Sequence, residues 1–133
     1  VRVGVFDTQA VVVAYYRSTL NNDFVKGLIA ERDRARTAGD AARVAELEKQ
    51  GGDHQELAHR QLAGQARIDN ILEHLKADMP AIGKEAGVDV IVYEPLYLGP
   101  EVVKVDITGQ VVARFRPDEK TLAIIRQVRE KSR

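Results

Sequence analysis

The residues of this chain that could do chemistry are three histidines, two carboxylates that follow strand-like segments, and a few short clusters of arginine and lysine. His54, Glu56 and His59 bear a partial likeness to a zinc-protease helix. That motif needs histidines four apart and a glutamate directly after the first. Here the histidines are five apart, about 140° round a helix of 3.6 residues per turn. They are read as solvated helix residues near a turn, with no metal site. His74, beside Glu73, is isolated and is read as a surface histidine. Asp7 and Glu94 each follow a strand-like segment, so parallel neighbouring strands would bring two carboxylates to one sheet edge, an arrangement used in acid–base catalysis. No third polar group is marked to orient that pair. Asp7 is therefore read as a helix cap, and Glu94 as a side chain facing water before Pro95.

Other chemistries lack their residues. The glycines form no phosphate-binding loop, since neither G-x-G-x-x-G nor G-x-x-x-x-G-K occurs. Ser18 and Ser132 are the only serines, and neither sits in a nucleophile elbow. Arg32, Arg34 and Arg36 alternate with Glu31 and Asp33 and make a mixed solvated face. Arg126, Arg129, Lys131 and Arg133 cluster where a helix C-terminus would favour cations through its dipole. Cysteine is absent, which removes disulfides, thiolate metal sites and cysteine catalysis. The chain is thus read as a non-enzyme with no cofactor.

Composition sets further bounds. With 133 residues, the chain has the length of one domain. Its 20 basic and 20 acidic side chains balance, so no global field draws nucleic acid or anionic membrane. The balance is local, however: residues 61–108 hold 4 Lys/Arg against 8 Asp/Glu, and residues 109–133 hold 7 against 3. This asymmetry favours docking within the chain or between subunits. The longest purely apolar stretch, Ala10 to Tyr16, is far too short to span a membrane. The sequence begins at Val1 without an initiator methionine, for which a removed signal peptide is one natural explanation.

The elements that would position these residues follow from periodicity. Val1, Val3 and Val5 alternate as in a strand. Thr8 to Ser18 reads as a short helix or a second strand, because Val11, Val12 and Val13 are β-branched. Leu20, Phe24 and Leu28 open a helical period that runs to about Gln50, with a weak point at Gly39-Asp40. Gly51-Gly52 reads as the break, and Asp53 with Glu56 has the form of a capping box starting a second helix. Ile68, Ile71, Leu75, Met79 and Ile82 continue that helix to Gly87, with a kink or restart at Pro80. Alternating valines at 88–92 and 103–107 give two more strands. Thr108 opens a short helix, and Pro117-Asp118 starts a last helix with Leu122, Ile125 and Val128 as its docking stripe.

The expected fold is α+β: a small β-sheet body from residues 1–19 and 87–115, a long antiparallel helical hairpin from 20–86, and a C-terminal docking helix from 116–133, all in one domain. The hairpin seam is leucine- and isoleucine-rich at its base. It thins towards the turn to Ala35, Ala38, Ala42, Ala45, Ala63 and Ala66, with Val44, Leu47, Leu57 and Leu62 as larger exceptions.

This order resembles the OmpH/Skp family of periplasmic chaperones. The resemblance covers roughly residues 1–115 and rests on Ala86-Gly87 leading into G-V-D-V-I-V at 87–92, and on V-D-I-T-G-Q-V-V at 105–112. It implies an exported, periplasmic, ATP-independent holdase that binds unfolded outer-membrane or other exported proteins. Such a chain would be a homo-oligomer, expected to be a trimer, with Val3, Val5, Val90, Val92, Val103 and Val105 in the oligomeric body. Val44, Leu47, Leu57 and Leu62 would line a client-facing arm. The chain departs from the family in its neutral charge and in the added segment Arg116–Arg133. The alternative reading is a helical-hairpin scaffold or adaptor without chaperone activity.

Overall fold

The computed structural model describes residues 1–131; Ser132 and Arg133, the latter a member of the C-terminal basic cluster, lie outside the described residues. Three strands form one sheet: β1 (Arg2–Val5), β2 (Val90–Val92) and β3 (Val103–Asp106). Their order is β2-β1-β3, and both pairings are parallel, with Val3 opposite Val90 and Gly4 opposite Val105. The segments read as strands around Val3, Val90 and Val103 therefore share one sheet. The molecule is a mixed α/β domain built on a small parallel sheet.

Side-chain alternation divides the sheet into two faces. Phe6, Ile91 and Val105 point to the main core, whereas Val3, Val5, Val90 and Val92 lie on the other face. The valines assigned to an oligomeric body are thus split: Val103 and Val105 stand on the face opposite the other four. Val90 and Val103 are exposed and Val3 is buried. Gly4 in the central strand is a site of close approach, since a Cβ there would lie 3.0 Å from Ile107 Cδ1 and 3.1 Å from Val88 Cγ2.

Helix α1 (Thr8–Tyr16) follows β1 directly. Asp7 caps it, its carboxylate accepting from the amides of Gln9 at 2.9 Å and Ala10 at 3.2 Å. Ala10 to Tyr15 are all buried. A helix apolar on every side shows no amphipathic period, which is why this segment reads equally well as a strand.

Two long helices come next, α2 (Thr19–Thr37) and α3 (Ala41–Leu62), roughly 28 and 33 Å long at 1.5 Å per residue. They pack along each other, joining Asn21 to His54 and Glu31 to Arg43. The chain turns between them at residues 38–40, not at Gly51-Gly52. Gly39 takes the left-handed conformation at φ +71°, and Asp40 caps α3 by accepting from the Arg43 amide at 3.0 Å. Gly51 and Gly52 lie within α3, where packing against α2 outweighs a helix cost of about 1 kcal/mol for each glycine. The expected capping box at Asp53 is therefore absent, because Asp53 is already inside a helix.

The second long helix is also shorter than expected. α3 ends at Leu62, and Gly64 at φ +73° turns the chain out of it. α4 (Asp69–Leu75), a single 3-10 turn at Lys76–Asp78 and α5 (Met79–Ala86) then return to the body. Ile71, Leu75 and Ile82 are fully buried in the core with α1, so residues 69–86 belong to the body and not to a projecting arm. α6 (Thr108–Ala113) and α7 (Glu119–Lys131) follow β3. α7 packs on α1, with Ile125 buried.

Replacing Leu75, which is 0% exposed, by Ala should cost about 2–5 kcal/mol through lost burial and a residual cavity. Replacing exposed Ala42 by Ser should stay within about 0.5 kcal/mol. Urea denaturation midpoints of the two variants check this ordering; equal losses would show that the distal helices are as tightly packed as the body.

Candidate functional site

Two places bring polar or exposed apolar groups together. The first is the carboxyl edge of the sheet, where ligands of open α/β folds collect. β1 and β2 are parallel neighbours, so Asp7 and Glu94 do reach the same edge. They are not bonded to each other. Asp7 is occupied as the α1 cap, and Glu94 is exposed beside Thr8, Arg67 and Tyr93.

The charged partner of this edge comes from α7. Arg129 Nη2 donates to Asp106 Oδ2 at 2.7 Å, and its Nε lies 3.8 Å from Asp7 Oδ2. The Thr108 hydroxyl donates to Asp106 Oδ1 at 2.6 Å and accepts from the Asp7 amide at 3.0 Å. Burial opposes ionisation of Asp106, but the bonds from Thr108 and Arg129 outweigh it and hold its pKa down at about 2. The cluster ties α7 to the ends of β1 and β3. It keeps Asp106 ionised near neutral pH, so Asp106 is not poised as a general acid there.

The second place is a half-open cleft of about 440 Å³ between α2 and α3. Val25, Leu28, Ile29, Leu47 and Ala58 supply apolar walls, and Gly51 lies among them. Asn21 and Arg32 both line it, eleven residues apart on α2, so it runs for roughly 16 Å along the helix. At the body end, His54 Nε2 and Asn21 Oδ1 are 2.7 Å apart, and the Asn21 side-chain amide donates to the Tyr16 carbonyl at 3.1 Å. Burial pushes the His54 pKa down, which favours the neutral ring. Phe24 lies over His54 with ring centroids 4.7 Å apart. Buried Gln61, outside the cleft lining, accepts from the Tyr16 hydroxyl and donates to Asn70 Oδ1 at 2.6 Å, which fixes Tyr16 in place.

Towards the turn, the cleft is bounded by charge. Glu48 pairs with Arg36 at 3.5 Å, and Arg43 with Glu31 at 2.9 Å. Arg32 differs: its Nε is buried and has no hydrogen-bond acceptor, the only such side-chain atom among the described residues. An unmet buried donor typically costs about 1–3 kcal/mol. Beside the cleft, α2 exposes Leu20 by 46% and Phe24 by 47%, and within its wall Ile29 is 44% exposed.

The residues singled out by sequence fall as follows. His54 reaches the cleft; Glu56 and His59 on the same helix are exposed. His74 stacks on Tyr15 at 5.3 Å. No group of three or more metal-ligating side chains is assembled among the described residues. Of the proposed arm residues, Leu47 is 2% exposed and packs inward, Val44 and Leu57 are half-buried, and Leu62 is exposed. Asn21, Arg32 and the Asp106–Arg129 lock were not distinguished by sequence. The lock joins residues far apart in the chain, which no local spacing reveals. Comparison with known proteins finds no matching family model, no similar curated protein and no similar solved structure. No helix among the described residues is long and apolar enough to cross a membrane.

The lock has a pH signature. Because the folded pKa of Asp106 lies below the unfolded value of about 3.9, its stabilisation is complete above that value and is lost as pH falls towards about 2. Asp106→Asn should therefore flatten the acid limb of a stability–pH curve over that window, and Arg129→Gln should shallow it. A limb unchanged in both variants would show that other carboxylates carry the acid sensitivity.

Proposed function

We propose that this chain is an ATP-independent holdase-type polypeptide-binding module, with α2 and α3 forming an antiparallel helical hairpin as its holding element. The observation that carries this reading is the exposed apolar set Leu20, Phe24 and Ile29 beside and in the wall of the apolar cleft, rimmed by Glu31, Arg36, Arg43 and Glu48. Leu20 and Phe24 share one side of α2, and Ile29 lies about 140° further round from Phe24, in the cleft wall. Exposed apolar surface framed by charge marks interaction sites. An unfolded chain offers the complementary surface, and its capture needs no bond chemistry and no nucleotide.

The resemblance to OmpH/Skp proteins adds the context of this reading. It makes the chain an exported protein of the cell envelope, assembled through its strand-bearing end and binding unfolded exported clients. The hairpin of this chain would be shorter than residues 20–86, comprising α2 and α3 alone. Its client surface would lie on α2 at Leu20, Phe24 and Ile29 more than on Leu47.

The test is light scattering of an unfolded β-barrel protein diluted from urea, with and without this chain. Wild type should suppress aggregation near stoichiometric ratio. Phe24→Glu combined with Ile29→Glu should weaken that effect at least about tenfold, because half-exposed apolar side chains of this size contribute on the order of 1–2 kcal/mol when covered. The urea midpoint should stay nearly unchanged. Absence of suppression by wild type would defeat the holdase reading and leave the scaffold alternative.

A further inference from the structure

The cleft between α2 and α3 keeps room that the fold does not need. Gly51 lines it from the interior of α3, and a Cβ built there meets no atom within 4 Å. Helix interiors disfavour glycine, and a close neighbour is the usual reason for keeping one. No such neighbour exists here. On the facing helix, the buried Arg32 Nε–H has no acceptor. Arg32 lines the same cleft, so space without a steric cause and an arginine with an unmet donor lie on its two helices.

The walls define the chemistry of an occupant. Val25, Leu28, Leu47 and Ala58 suit an aliphatic chain, and the Tyr16–Asn21–His54 end is already bonded within itself and calls for no charge. Arg32 calls for an anion. Its Nη2 lies 3.6 Å from Asp33 Oδ1, a loose contact, and its side chain is 34% exposed, so an anion can approach the guanidinium. With Nε withdrawn from the surface, a planar carboxylate would meet the guanidinium through its two Nη groups. Glu48 also lines the cleft; paired with Arg36, it tolerates one negative charge nearby and opposes a second. A volume of about 440 Å³ admits on the order of ten to fifteen non-hydrogen atoms, at roughly 30 Å³ for each water-sized unit.

We propose that this cleft binds a small amphipathic monocarboxylate of the medium-chain fatty-acid class, its carboxylate on Arg32 and its chain lying along α2 and α3 towards His54. This goes beyond polypeptide holding and stands whether or not the chain suppresses aggregation.

Titration calorimetry of the full chain with decanoate provides the test, with decanol as the uncharged control. One-to-one, saturable binding of decanoate is expected, with decanol at least tenfold weaker. Arg32→Gln should lose about tenfold in decanoate affinity, and Arg32→Lys should recover part of it. Gly51→Leu should fill the cleft, abolish binding and raise the thermal midpoint, moving stability and binding in opposite directions. Circular dichroism confirms folding of each variant. No decanoate binding at millimolar concentration, equal affinity for decanol, unsaturable uptake, or full binding by Gly51→Leu would each overturn the proposal.

Discussion

Six consecutive residues of α1, Ala10 to Tyr15, are withdrawn from solvent, and a helix apolar on all sides is stable only when enclosed on all sides. Much of the architecture answers that requirement. The sheet lies at its N-terminal end through Phe6 and the Asp7 cap, α4 and α5 bring Ile71, Leu75 and Ile82, α6 brings Val111 and Val112, and Phe115 follows just after α6. α7 packs along the same helix, held by Arg129 at one end and by Arg17 Nε donating to the Thr121 hydroxyl at 2.9 Å at the other. α7 is therefore part of the core, not an appendage.

The same requirement explains which parts of the structure could be read from the sequence. The strands β1, β2 and β3 were legible, to within two residues, because two-residue alternation survives in a half-buried strand. Asp7 and Pro117-Asp118 were visible as helix starts because capping is local chemistry, and the Asp118 side chain does accept from the Thr121 amide at 2.8 Å. The hairpin limits were misplaced for a physical reason. Two adjacent glycines are a stronger local break signal than Gly39 or Gly64 alone, yet the backbone needs positive φ at those single glycines and not at the pair. Ile68 to Ile82 have the period of a helix face, and period cannot tell a face that meets a partner arm from one that meets α1. At the candidate site, His54 stood out by residue type, whereas Arg32 matters through what it lacks in three dimensions.

A mid-helix glycine pair and an unmet arginine both work against stability, and both lie on the α2/α3 pair, away from the core. Sites where local rules are broken without a packing gain are where function is expected to reside. By contrast, the sheet edge, for all its carboxylates, breaks no such rule: Asp7, Asp106, Thr108 and Arg129 satisfy one another. The physical contrast between these two places, more than any motif, directs attention to the helices.

The strand order β2-β1-β3 places the first strand of the chain in the middle of the sheet, between partners that lie some ninety to one hundred residues downstream. As the chain emerges in order, β1 has no neighbour until residues 90–92 arrive, and its second edge stays open until 103–106 follow. The link from β2 to β3 must also pass across β1, so the sheet cannot be assembled by adding strands outward one after another. Contacts of such long separation close slowly, while α2 and α3 can pair across a three-residue turn almost at once. The topology therefore favours early pairing of α2 with α3, and β1 can be covered on both edges only once residues 90–106 are in place.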